Sequence, residues 1–138
     1  MNDTELRQSL SLIEMYKVQL DAFAQQAQIL QMSLEETLKA RDTMKAFLNA
    51  EEGEELLIPV GGASFIPAKV TASKKAVVGI GSRISAEKDL DDAVEYMDRS
   101  LKEIGEALKK TGESIGQTEM SLANLSMAVQ QEYQGRRQ

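Results

Sequence analysis

The chain has 138 residues, enough for one domain, and its 16 basic and 22 acidic residues give a net charge of −6. It contains no His, Cys or Trp, and only three Tyr and three Phe. This composition excludes a conventional zinc site, a cysteine nucleophile, a Ser-His-Asp triad and a disulfide framework. We therefore expect a protein that is not an enzyme and needs no cofactor. Since no signal peptide or long apolar run is visible, we expect it in the cytoplasm.

Charge divides the sequence into three segments. Residues 1–55 carry eleven acids and five bases, residues 56–85 carry four bases and no acid, and residues 86–138 carry eleven acids and seven bases. Both prolines lie in the middle segment. We predict one domain over residues 1–138, made of a coiled-coil helix (1–52), two β-hairpins (53–85) and a second coiled-coil helix (86–138).

The first segment has the heptad repeat of a coiled coil, in which positions a and d are apolar. Position a holds Leu6, Ile13, Leu20, Ala27, Leu34 and Leu48, and position d holds Tyr16, Phe23, Leu30 and Met44. Ser9, Thr37 and Arg41 are the polar exceptions. Asn2 or Thr4 is the predicted N-cap, and Gly53 is the predicted stop.

The last segment repeats the pattern. Position a holds Val94, Leu101, Leu108, Ile115, Leu122 and Val129, and position d holds Leu90, Met97, Ile104 and Leu125. Ser85 is the predicted N-cap of this helix. Two helices of nearly equal length favour an antiparallel pair, with Ile13 near Leu125 and both chain ends together.

The middle segment favours four short strands, at roughly 55–60, 64–70, 76–80 and 82–86. Gly61-Gly62 is a suitable two-residue turn for the first hairpin, and Gly81 lies between the last two strands. Pro59 and Pro67 have no N–H, so each must lie at an edge or at a position that makes no ladder bond.

These strands predict an oligomer. Two-stranded hairpins are marginal in water, and their edges leave backbone groups unpaired. A small sheet that caps the helices within one subunit is the alternative, but both helices already bury their apolar faces against each other. We therefore expect other subunits to cover the apolar strand residues, which are Leu57, Ile58, Val60, Phe65, Ile66, Val70, Val77, Val78, Ile80 and Ile84.

Several apolar residues fall outside the heptad seam, and they gather near the two chain ends. They are Leu10, Leu12, Met15, Val18, Met120, Met127 and Tyr133. An exposed, adaptable surface that grips other chains is one interpretation, because flexible Met side chains suit varied partners. Scattered exposure and packing against another copy of the helical pair remain the alternatives.

The middle of the sequence resembles the α class of the archaeal prefoldin family. The resemblance lies in LLIPVGGASFIPAKV and in KKAVVGIGSRISAEKDLDDAVEYMDRSL, with heptads on both sides. It implies a hexamer of two α and four β subunits, hairpins assembled into intersubunit β-barrels, and coiled coils whose tips hold unfolded polypeptide clients without ATP. It also implies transfer to a group II chaperonin. The implied client-binding residues are Leu6, Leu10, Leu12, Ile13, Met15, Tyr16, Met120, Leu122, Leu125, Met127 and Val129.

Two other function classes compete with this interpretation. A structural coiled-coil scaffold or dimerisation protein would use the helices only as a spacer and would bind no clients. A nucleic-acid-binding helical arm is disfavoured by the acidic helices. We expect no nucleic-acid or membrane partner.

Overall fold

A computed structural model describes residues 1–137 of the chain. Helix α1 covers Asp3–Asn49 and helix α2 covers Leu90–Arg137. Between them lie β1 (Glu55–Gly61), β2 (Ser64–Lys69), β3 (Lys75–Gly81) and β4 (Ile84–Asp89). The predicted fold, mainly α with two small β-hairpins between two long helices, is confirmed. Neither helix contains, within the described residues, a stretch long and apolar enough to cross a bilayer.

The described chain forms two compact parts. We call residues 1–32 with residues 105–137 the terminal part, and residues 33–104 the hairpin part. In the terminal part, Leu6, Ile13 and Val129 form a buried cluster, and Leu122 and Leu125 pack against it. The two helix ends are therefore antiparallel there, and the predicted approach of Ile13 to Leu125 is confirmed.

The heptad seam predicted from the sequence is the buried side of both helices. Every a and d residue from Leu6 to Leu48 of α1 and from Leu90 to Val129 of α2, the polar ones included, is buried or half-buried. Arg41, a polar exception at position a, donates a 3.0 Å hydrogen bond to Asp98 of α2. Thr111, at position d, donates its hydroxyl to the carbonyl oxygen of Ala107. Arg41 and Thr111 are thus tolerated in the seam because their polar atoms have partners.

The first turn of α1 is held by a capping box. The side-chain oxygen of Asn2 accepts a 2.8 Å bond from the backbone N–H of Glu5, whose carboxylate accepts a 3.1 Å bond from the N–H of Asn2. Of the two predicted N-caps, Asn2 is therefore correct. The helix ends at Asn49, four residues before the predicted stop, and Gly53 has a positive φ in the connection to β1.

Both hairpins use the same type of turn. In the first hairpin, this turn lies one residue later than predicted. The central residues are Gly62-Ala63 and Ser82-Arg83, and all four have positive φ, as a type I′ turn requires. Gly61 also has a positive φ, and the register shifts between Pro59 and Gly61. The first turn therefore moves to Gly62-Ala63 because Gly61 belongs to a bulge in β1.

The predicted start of α2 at Ser85 is wrong. Residues 84–89 form β4, which pairs with β3 as far as Asp89 opposite Lys75. The ammonium group of Lys75 lies 3.8 Å from the carboxylates of both Glu87 and Asp89. Helix formers at residues 86–88 thus adopt strand geometry because ladder bonds and cross-strand pairs stabilise it.

Lys74 joins the end of α1 to the start of α2. Its ammonium group donates to the carbonyl oxygens of Leu48 and Ala50, at 2.8 and 2.6 Å. Its own carbonyl oxygen accepts a 2.9 Å bond from the N–H of Leu90, the first residue of α2. The last turn of α1 contains no basic residue of its own. Lys74 therefore supplies the positive charge that the C-terminus of a helix favours.

Small and branched side chains form the interior of the hairpin part. They are Ala50, Val70, Val78, Leu90 and Ala93, and Val78 is only 1% exposed. On β4, the ammonium group of Lys88 lies 5.6 Å from the ring centre of Tyr96, a cation–π contact with α2. The sequence-based prediction placed Val70 and Val78 among the strand residues that contact other subunits. Because both are buried within the subunit, they are not available to a partner.

We predict that Lys74→Met lowers the free energy of unfolding by about 1–2 kcal/mol, because two carbonyl groups lose a charged donor while the aliphatic packing is kept. Urea denaturation at one fixed protein concentration measures the change. Lys75→Met is the matched control, and its exposed ion pairs should contribute less than about 0.5 kcal/mol. Equal losses for the two variants would contradict the capping role.

Candidate functional site

The terminal part has an exposed apolar surface. Six large apolar side chains outside the seam are between 39% and 69% exposed, namely Leu10, Met15, Val18, Met120, Met127 and Tyr133. Leu12 is half-buried. The heptad explains the exposure of Met15, Val18, Met120 and Met127, since positions c and f point away from the partner helix of a two-helix pair. Leu10 and Tyr133 occupy position e and Leu12 occupies position g, which flank the seam. We call these seven residues the apolar end surface.

The other six predicted client-binding residues belong to the buried or half-buried seam of the terminal part. Leu6, Ile13 and Val129 are buried, and Tyr16, Leu122 and Leu125 are half-buried. The seam residues could contact another chain only if the helix ends separate. In the closed state, the accessible members of the predicted set are therefore Leu10, Leu12, Met15, Met120 and Met127.

Two open grooves lie in the terminal part. The first has a volume of about 380 Å³ and is lined by residues of α1, which are Arg7, Gln8, Ser11, Leu12 and Met15. The second has a volume of about 530 Å³, and its lining includes Ile13, Val129 and Tyr133. Both are shallow surfaces of mixed character. They suit side chains of another polypeptide better than an enclosed small molecule.

Ion pairs hold the two helix ends of the terminal part together. Arg136 donates 2.9 Å and 3.1 Å hydrogen bonds to Asp3 and Glu132, respectively. The pKa of the Glu132 carboxyl is lowered mainly by the hydrogen bond from Arg136. The hydrogen bond from the amino group of Met1 lowers it further. The hydrogen bond to Asp3, followed by that to Glu132, raises the pKa of Arg136. These pairs therefore link the first turn of α1 to the last turns of α2.

The sequence interpretation missed a continuation of the exposed stripe along α1. Ile29 and Met32 are 67% and 63% exposed. They occupy heptad positions c and f, as Met15 and Val18 do. A search for a second heptad register on the outer side of α1 would have found them. In the hairpin part, the exposed Leu38 was missed too.

The hairpins present a second apolar surface. Seven of the predicted oligomerisation residues are exposed, namely Leu57, Val60, Phe65, Ile66, Val77, Ile80 and Ile84, and Ile58 is half-buried. A groove of about 610 Å³ lies between the β1–β2 hairpin and α1, and its lining includes Leu38, Phe47, Leu57 and Phe65. The two sheets have two strands each, so all four strands have an open edge. Apolar side chains and open edges together indicate an assembly surface.

We predict that the terminal part loses stability as pH falls below the ordinary glutamate pKa of 4.5, and that Glu132→Gln loses less. The folded-state pKa of Glu132 lies below its ordinary value of 4.5. Its contribution is therefore present above that value and is lost as pH falls through the lower one. Amide hydrogen exchange of the helix ends, measured across this range, tests the prediction.

Glu119→Gln is the control for that measurement, because it removes one exposed acid from the same helix. It should keep the acid response of the unmodified protein. If Glu132→Gln also kept it unchanged, the ion pairs at the helix ends would have no part in the acid response.

Known proteins share both the sequence pattern and the fold. A family model for prefoldin subunits matches residues 16–135. The chain is similar to prefoldin subunit alpha 1 of Thermococcus kodakarensis, with 33% identity over 65% of this chain and 62% of that protein. It is also 33% identical to prefoldin subunit alpha of Methanococcus aeolicus, over 75% of this chain and 69% of that protein. The match therefore spans just under two thirds of the first relative.

Two solved structures resemble the fold. Filamentous PFD from Methanocaldococcus jannaschii matches with a TM-score of 0.64 and 22% identity, over 84% of this chain and 96% of that one. The prefoldin beta subunit from Thermococcus strain KS-1 matches with a TM-score of 0.62 and 18% identity, over 93% of this chain and 91% of that one. At these identities, the likeness concerns the fold.

Proposed function

The chain belongs to the prefoldin family of non-enzymatic chaperones, and we propose that it captures non-native polypeptides without ATP and delivers them to a group II chaperonin. The observation that carries this proposal is the apolar end surface of the terminal part. Its six exposed members remain accessible although the seam is buried. A helical pair that served only as a spacer has no need for such residues.

The chemistry of this surface suits clients of varied sequence. Met15, Met120 and Met127 are flexible and polarizable, so they can fit different apolar side chains. Such a surface offers few directional contacts, so one subunit should bind a client weakly. Several subunits in one assembly raise the effective concentration and hence the avidity. The proposal therefore couples client holding to oligomerisation.

Assembly is the second element of the proposed function. We propose that the hairpins of two copies combine with four beta subunits, and that their strands form intersubunit β-barrels. The exposed apolar strand residues and the open edges of both sheets support this proposal. The similarity of the fold to that of a prefoldin beta subunit also supports it, because subunits with related hairpins can share one sheet.

The chaperonin contact is proposed at the same ends of the helices that hold clients. A shared surface would let the chaperonin compete with a weakly held client, which provides a route for transfer without ATP. The ion pairs of Arg136 support an adjustable opening of these ends, because exposed pairs are individually weak. Opening would add the seam residues Leu6, Ile13 and Val129 to the client contact.

We predict that the combined variant Leu10→Ser, Met15→Ser, Met120→Ser and Met127→Ser loses most protection of an unfolded client against aggregation. The reason is that four exposed apolar contacts are removed without entering the buried cluster. Light scattering of a diluted, denatured client protein, with the assembled oligomer present, measures the protection. Circular dichroism and native mass check that the fold and the assembly persist.

Ile29→Ser with Met32→Ser is the control, because these residues of α1 are at least as exposed as Leu10 and Met15 of that helix but lie outside the apolar end surface. This control should protect as well as the unmodified protein does. Unchanged protection by the four-residue variant would contradict client holding and favour the scaffold alternative. Equal loss in the control would place the client contact along the whole outer side of α1.

We predict that co-expression with a prefoldin beta subunit yields a complex of two copies of this chain and four beta subunits. Native mass spectrometry of the purified complex gives the stoichiometry directly. Phe65→Ser with Ile66→Ser removes two exposed apolar residues of β2 and should release beta subunits. A complex of unchanged mass in this variant would contradict the proposed use of the first hairpin.

A further inference from the structure

We propose that Met15, Met120 and Met127 form an oxidation site that controls client holding. A hydroperoxide converts their thioethers to sulfoxides, which makes the apolar end surface more polar while the fold persists. The inference rests on the proposed function, because it concerns the same surface, and it adds a covalent modification to that surface. It follows from the sulfur content of the chain and from the exposure and heptad position of each methionine.

Methionine supplies all the sulfur of this chain. The sequence contains seven Met and no Cys, so no thiolate competes for the oxidant and no disulfide forms within the chain. The sequence also lacks His and Trp. Mild oxidation of the chain by a peroxide therefore falls on thioether sulfur.

Exposure divides the seven methionines into two groups. Two of them, Met44 and Met97, occupy seam position d and are half-buried. The other five are between 44% and 67% exposed, namely Met1, Met15, Met32, Met120 and Met127. Because oxidation of sulfur depends on access of the oxidant, the exposed group should react first. A low dose of peroxide should therefore modify the surface and leave the seam intact.

The three residues of the proposed site lie where an added oxygen is tolerated. Met15 occupies heptad position c, and Met120 and Met127 occupy position f. These positions face away from the partner helix, so the sulfoxide oxygen projects into water and enters no packed interior. The buried cluster of the terminal part contains no methionine. Oxidation should thus change the surface chemistry without unfolding the helices.

Each oxidation step transfers one oxygen atom. The thioether sulfur attacks the terminal oxygen of the hydroperoxide, an S–O bond forms, the O–O bond breaks, and the hydroperoxide proton passes to the leaving oxygen. The sulfur is oxidised and the hydroperoxide is reduced to an alcohol, or to water when it is hydrogen peroxide. Methionine sulfoxide reductases reverse the step: a dithiol is oxidised to a disulfide, and the oxygen leaves as water.

Sulfoxides oppose the apolar contact with a client. The sulfoxide oxygen is a hydrogen-bond acceptor, so its burial against an apolar chain costs free energy when no donor is present. The site residues are three of the six exposed members of the apolar end surface, and the other three contain no sulfur. One subunit should therefore hold a client more weakly after oxidation. Because several subunits act together, the loss is amplified in the assembly.

Met32 provides an internal comparison. It is 63% exposed, against 67% for Met120, but it lies outside the apolar end surface. It should therefore oxidise together with the site residues without affecting client holding. A loss of holding that depends on the site residues and not on Met32 would distinguish the proposed site from general oxidative damage.

The test compares the unmodified chain with the combined variant Met15→Leu, Met120→Leu and Met127→Leu, each assembled with the same prefoldin beta subunits. Leucine keeps the volume and apolar character of methionine but has no sulfur. Both assemblies are treated with hydrogen peroxide, the peroxide is removed with catalase, and denatured client is then added. Since the beta subunits are identical, the two assemblies differ only at the three site residues.

We expect oxidation to remove about half or more of the protection against aggregation in the unmodified assembly, and little of it in the leucine variant. Methionine sulfoxide reductases with a dithiol should restore the protection. Met32→Leu, the control, should leave the assembly as sensitive to peroxide as the unmodified one. Peptide mass mapping should show oxygen at the exposed methionines before the two in the seam, while native mass and circular dichroism verify assembly and fold.

Three results would overturn the inference and leave the proposed function intact: full protection after the site residues are oxidised, an equal loss in the leucine variant, or a loss that the reductases do not reverse. The reversal by the reductases needs no substitution, so it decides the question even if the leucine variant assembles poorly. The untreated assembly measures client holding by itself. If it gave no protection, the proposed function would fail and the inference with it.

Discussion

Burial of one heptad seam between two long helices is the constraint on which the rest of this structure depends. With few aromatic residues, the chain places Leu, Ile, Val and Met in that seam, from Leu6 near one end to Leu90 at the start of α2. The seam covers neither the outer strand residues of the hairpins nor the apolar helix residues outside it, and both remain exposed. The exposed apolar surfaces at the helix ends and on the hairpins are thus consequences of a single packing choice.

The hairpin part shows how local chemistry connects these long elements. Lys74 caps the last carbonyl groups of α1 and also accepts the first N–H of α2. Beside it, the ladder between β3 and β4 continues to Asp89, so α2 begins only where pairing ends. The two helices are therefore joined by a compact unit whose interior holds Val70 and Val78. The outer strand residues remain free for other subunits.

Much of the candidate site could be predicted from sequence, because exposure on a coiled coil follows from heptad position. Met120 and Met127 occupy position f and are exposed as expected. Leu6, Ile13 and Val129 occupy position a and are buried in the core, as the heptad predicts. The set of client-binding residues implied by the resemblance therefore contains both surface and interior residues. Ile29 and Met32 do not follow from the seam, because they lie at positions c and f on the outer side of α1. Pairs such as Arg136 with Asp3 join residues far apart in sequence, which heptad positions alone do not reveal.

By itself, the sequence determined the mainly α class, the heptad register of both helices, the presence of two hairpins and the pair of N-cap candidates, Asn2 and Thr4, from which the structure selects Asn2. These features depend on periodicity and on side chains close in sequence, so local patterns suffice. Only the tertiary structure decided the turn at Gly62-Ala63, the end of β4 at Asp89, the burial of Val70 and Val78, and the capping of α1 by Lys74. Each of these depends on a cross-strand register or on partners distant in sequence. Such contacts overrule local propensity because they satisfy backbone groups and bury surface that no single segment can satisfy or bury alone.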